Sequence, residues 1–94
     1  MEYIDVEWIH KDSAYPVRLV SELDERRHET RKLEFFPRGE VGYASQHQSA
    51  HGTELSLEPI PPLAEINQSP EFRGAYISAK AFEVLWAANA PDGA

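Results

Sequence analysis

The side chains of this chain that could do chemistry are sixteen carboxylates and four histidines, and their spacing decides what kind of chemistry is open to them. Paired acids for general acid–base work can be drawn from Glu22, Asp24, Glu29 and Glu34, but such a pair is useful only if desolvation raises one of the two pKa values. The same residues sit in a run of alternating sign. Between Glu22 and Leu33 stand four acids (Glu22, Asp24, Glu25, Glu29) and four bases (Arg26, Arg27, Arg31, Lys32). Pairs such as Glu29 with Arg31, or Lys32 with Glu34, read more simply as ion pairs on a solvated sheet face. His47 and His51, four apart with Glu54 nearby, would share a face on a helix and imitate a metal-ligand spacing. Gln46–Gly52, QHQSAHG, has loop composition instead, and no HExxH accompanies it, so no metal site is assigned. His10 continues the face of Ile4, Val6 and Trp8 and reads as a hydrogen-bonded edge histidine. No serine or threonine has a nucleophile context, no glycine-rich phosphate loop exists, and without cysteine there is no thiol chemistry. Catalytic residues and cofactors are therefore assigned to none.

Those residues must be carried by a small frame. At 94 residues the chain is read as one domain, 1–94, with room for one core and none for a separately built deep cleft. A hydrophobic content of 41% with ten aromatic side chains argues for a folded domain despite a net charge of -7. The charge is uneven: residues 1–38 carry seven bases and nine acids, residues 39–94 two bases and seven acids. Such a chain repels phosphates, so direct nucleic-acid binding is not expected, and the broken aromatic–basic run Arg31–Phe36 does not restore it. No long apolar run and no basic, apolar leader is present, which makes the cytoplasm the expected location and excludes a membrane partner.

The apolar pattern predicts strands first and helices last. Tyr3–Ile9 alternates, with Ile4, Val6 and Trp8 on one face; Val17–Leu23 follows with Val17, Leu19 and Leu23. A wide polar turn leads to a strand over Glu29–Phe36, and Pro37-Arg38-Gly39 turns it back into Glu40–Ala44. Thr53–Leu57 is expected as a short last strand. Pro59, Pro61 and Pro62 end the sheet, with a short helix through Leu63 and Ile66 and a further helix start at Ser69-Pro70-Glu71. Ser78 caps the clearest helix, Ala79–Ala88, which aligns Phe82, Leu85 and Trp86; residues 88–94 are expected to fray. The fold class is α+β: an antiparallel sheet of four or five strands with C-terminal helices on one face, and a core of Trp8, Leu19, Leu33, Phe35, Val41, Tyr43, Phe82 and Trp86.

With YIDVEWIH at the N-terminus, SELDERRHETRKLEFF and RGEVGYAS in the centre, then GTELS, EPIPP, LAEINQSPEF and a last helix ending FEVLW, the chain resembles a family of small bacterial domains of about ninety residues and unknown function. The resemblance covers nearly all of residues 3–86 and implies no activity or catalytic residue. Stand-alone domains of this kind resemble immunity and accessory proteins encoded beside toxins.

The expected function is a non-enzymatic acidic protein-binding module, an immunity-type protein that occludes a basic protein partner such as a nuclease toxin. Asp5, Glu7, Glu22, Asp24, Glu29 and Glu34 would supply an acidic face, with Tyr43 and the 46–54 loop beside it. Two alternatives stay open. One is a small ligand-binding or hydrolytic enzyme built on the Glu22–Arg31 cluster with His10 or His47; the other is a nucleic-acid-mimicking inhibitor.

Overall fold

Alternating apolar and polar residues in the first half of the chain form four strands: β1 (Glu2–Trp8), β2 (Arg18–Leu23), β3 (Glu29–Phe35) and β4 (Val41–Ser45). The computed structural model describes all residues from Met1 to Ala94. β5 (Ser49–Ala50), α1 (Leu63–Ile66), β6 (Phe72–Tyr76) and α2 (Ala79–Asn89) complete it. Every neighbouring pair is antiparallel, in the order β5-β4-β3-β2-β1-β6. The domain is thus α+β, with six strands where the pattern predicts four or five.

Both extra strands are additions at an edge. The Gln46–Gly52 loop folds back through Ser45, whose hydroxyl accepts from the backbone of His47 and Gln48, and Ser49–Ala50 pairs with β4. Thr53–Leu57, expected as a strand, makes no sheet pairing. Instead Thr53 is buried over Gly42, at a position where a Cβ on residue 42 would overlap the threonine hydroxyl. Ser69-Pro70-Glu71 does not open a helix either. It turns the chain so that Phe72–Tyr76 takes the free edge of β1, with Val6 opposite Gly74 and Trp8 opposite Phe72.

The helices lie on opposite faces of the sheet, not on one. Val20 and Leu33, paired across β2 and β3, point toward α2 and pack with Phe82 and Trp86. Ile4, Val6 and Leu23 point the other way and pack with Leu63, Ile60, Ile66 and Phe72. Sheet residues alternate in direction, so a strand covered on both sides is buried at consecutive positions, as Val20, Ser21, Glu22 and Leu23 are. Of the expected core, Leu33, Phe82 and Trp86 are buried; Phe35, Val41 and Tyr43 are half-buried around them. Leu19 and Trp8 are half-buried, Trp8 stacking on Phe72 at the edge. Ala90 and Ala94 rest against the α2 core. No helix is long and apolar enough to cross a membrane.

Candidate functional site

The face away from α2 is roofed by little regular structure, and a cleft of about 420 Å³ opens there. Its floor is the sheet, through Ile4, Val6, Leu19 and Ser21. Its roof is the segment from Ile60 to Phe72, which lines it through Pro61, Glu65, Ile66 and Ser69 as well as its two ends. Pro61 and Pro62 set where α1 can begin and Pro70 bars its continuation, and the single turn between them is held at both ends by side chains. At one end Arg27, in a left-handed backbone conformation (φ 64°), donates from Nε to Ile60 O and from Nη2 to Pro61 O, while Ile60 N donates to Arg27 O. At the other, the Asn67 side-chain amide donates to Gly74 O at 3.0 Å and accepts from Gly74 N at 2.6 Å. Gly74 lets the roof lie close on β6: a Cβ there would stand 2.7 Å from Leu63 Cδ2, so the leucine side chain would have to move aside.

At the back of the cleft sits a polar cluster placed by a β-bulge. The β2–β3 register shifts between Glu22 and Leu23, so Leu23 pairs with Glu29 rather than with Thr30. The extra residue turns the Glu29 side chain to the same face as Lys32 and Ser21. Glu29 accepts from Ser21 Oγ at 3.0 Å and Ser56 N at 2.7 Å, and Lys32 Nζ lies 3.4 Å away. Lys32 also lies 3.7 Å from Glu34 and donates to Glu54 O at 3.4 Å; Thr53 Oγ1 donates to Glu34 at 2.8 Å. No buried side-chain nitrogen or oxygen in the protein is without a hydrogen-bond partner. The cluster is closed on itself, and what the cleft offers a ligand is apolar wall.

The acids expected to form one face are divided. Asp5, Glu7 and Glu22 lie on the α2 side, Glu29 and Glu34 on the cleft side, and Asp24 in the β2–β3 turn, because strand residues alternate and the bulge inverts Glu29. Glu22 and Glu29 are buried. Asp5 holds Arg18 through two hydrogen bonds of 2.9 and 2.7 Å, which raises the Arg18 pKa. Asp24 accepts from the backbone of His28 and Arg26, and these bonds, the His28 one foremost, lower its pKa. Glu7 is exposed and in no ion pair. Tyr43 meets Trp86 edge to face and reaches Gln48 through its hydroxyl.

The possible catalytic partners fare differently from one another. His10 is fixed at the far end of β1 from Glu22: Asp12 N donates to its Nδ1 and its Nε2 lies 2.7 Å from Pro16 O, an arrangement met by the neutral Nε2–H tautomer. His47 shares a shallow depression with Glu22, Thr30 and Arg31. There Arg31 binds Glu22 through Nε (2.9 Å) and Nη2 (2.6 Å), and this pairing is the main reason the Glu22 pKa is lowered. A carboxylate so held is neither a general acid nor a strong base near neutrality. No three His, Asp or Glu side chains converge as a metal site.

The cleft was not readable from sequence. Its lining spans Ile4 to Phe72, and its one local signal is the proline-rich Pro59–Pro62 stretch that interrupts regular structure above the sheet. No curated protein and no solved structure matches the chain. The sequence model of a family described as a domain of unknown function (DUF6881) matches residues 2–91, from the first strand past the last helix, and the chain belongs to that family.

Proposed function

We propose that this domain is a non-enzymatic protein-binding module for a basic partner, of the immunity type that occludes a basic protein such as a nuclease. The observation that carries the reading is how the charges are used. Arg18, Arg27, Arg31 and Lys32 are consumed in pairs with Glu2, Asp5, Glu22, Glu29, Glu34 and Glu83. Ten acids and five bases remain outside these pairs. From Gly39 to Phe72 the chain holds Glu40, Glu54, Glu58, Glu65 and Glu71, all exposed, and no lysine or arginine. A one-signed surface of this kind steers a basic partner and weakens with salt. The hydrolytic alternative draws less support, since Glu22 is spent on Arg31.

The test is capture at low salt, followed by calorimetry on the purified candidate. A basic protein bound at one-to-one stoichiometry, with affinity falling as salt rises and lost in a Glu54→Lys, Glu58→Lys, Glu65→Lys, Glu71→Lys variant, is the expected result. Binding indifferent to salt and to those four reversals overturns the reading. If the captured protein normally binds nucleic acid, competition by duplex DNA shows whether the acids mimic a phosphate backbone.

A further inference from the structure

We infer that the cleft between the sheet and the Ile60–Phe72 segment receives a single apolar side chain of that basic partner, flanked on the partner by lysine or arginine. This rests on the basic-partner reading and adds its anchor. Three observations carry it. The cleft is walled by Ile4, Val6, Leu19, Ile60, Ile66 and Phe72, and at about 420 Å³ it falls at the small end of the roughly 300–1,000 Å³ typical of ligand sites. The polar groups at its back are already satisfied: Glu29 by Ser21 and Ser56, Lys32 by Glu29, Glu34 and the Glu54 carbonyl. An entering polar head would have to displace those bonds, whereas an aliphatic or aromatic group displaces only water.

The third observation is charge complementarity. Glu65 lines the mouth, Glu71 is exposed at the end of the roof, and Glu54 and Glu58 are exposed on the stretch that leads into it; the two bases at the cleft, Lys32 and Arg27, are paired with Glu29, Glu34 and Glu2. Leu57, 94% exposed, follows Ser56, whose N–H bonds the Glu29 carboxylate of the cleft lining. Side chains that dominate binding energy sit in well-packed pockets from which water is excluded, while charges around them steer the encounter. The occupant is therefore a basic, apolar-tipped protein segment, not a small polar metabolite.

The experiment titrates the isotope-labelled protein with three short peptides and follows methyl and amide NMR signals. The probes are acetyl-Lys-Lys-Leu-Lys-Lys-amide, its alanine analogue at the centre, and acetyl-Gly-Gly-Leu-Gly-Gly-amide. Expected is movement of the Ile4, Val6, Ile60 and Ile66 methyls with the lysine–leucine peptide, weakened on the order of ten-fold by the alanine exchange and abolished by high salt. Glu65→Lys, an exposed change on α1 that leaves the core intact, should weaken binding several-fold. If both lysine peptides move only the Glu54–Glu71 amides and leave the cleft methyls still, the anchor is wrong while the basic-partner reading stands. If none of the peptides binds, the anchor is overturned, and the basic-partner reading stands or falls by the capture experiment. Equal binding of the uncharged leucine peptide overturns the inference in favour of a neutral ligand.

Discussion

Arg31 shows how much of the charge in this chain is structural. Its guanidinium is shared between Glu22 and Glu83, with Glu83 oxygens at 2.9 and 2.8 Å, and it lies 4.8 Å from the Phe82 ring centre and 5.2 Å from that of Trp86. One residue thereby ties β2, β3 and α2 together. Arg31 is the main cause of the lowered pKa values of both Glu22 and Glu83, and its own pKa is pushed up in return. A carboxylate whose folded pKa lies below its unfolded one stabilises fully above the unfolded value, and that contribution fades as pH falls through the folded value. Glu22→Gln is predicted to cost about 3 kcal/mol at neutral pH, the low end for breaking a buried pair because Glu83 still holds Arg31. The variant should also lose less stability than wild type as pH drops below about 5. Urea unfolding of both proteins at pH 7, 5 and 3 checks this. Parallel losses in the two would mean that another group governs the acid limb.

At the scale of elements, the edge strand β6 is guarded by a side chain. The Asn67 amide meets both hydrogen-bonding groups of Gly74 on the side away from β1, in the way a seventh strand would. Asn67→Ala should leave that edge open, cost about 1–2 kcal/mol from the lost bonds, and permit strand pairing between copies. Light scattering across a concentration series is the measurement, and a variant that stays as monodisperse as wild type at all concentrations removes Asn67 from that role. β6 also marks what the residues conceal. Tyr3–Ile9 and Val17–Leu23 were legible because alternation is a local signal. Phe72–Tyr76 was not, because Pro70 and Gly74 punctuate it as turn residues, and only the free edge of β1 and the approach of Leu63 explain both. The candidate site was hidden for a related reason. Glu22 and Glu29 read as solvated because their charges alternate in sign, yet β2 and β3 are central strands covered on both faces, and a bulge turns one acid toward each side.

For the whole molecule the sheet divides two unequal halves. On one side α2 buries Phe82 completely and Trp86 nearly so, with Tyr3, Phe35, Val41 and Tyr43 packed around them. On the other, a stretch with one four-residue helix leans on Ile4, Val6 and Leu23, held by the Arg27 and Asn67 contacts at its ends. Segments with few buried apolar contacts open without the rest of the structure. The Ile60 and Asn67 amides, which donate to Arg27 O and Leu63 O, should therefore exchange with solvent by local opening, at a free energy several kcal/mol below that of the β2–β3 ladder and insensitive to low denaturant. Native-state hydrogen exchange in increasing urea reads this directly. Merged exchange free energies would show a roof that opens only with the whole domain. Separate ones would give the cleft a roof able to adjust to an entering side chain while the α2 side holds the fold.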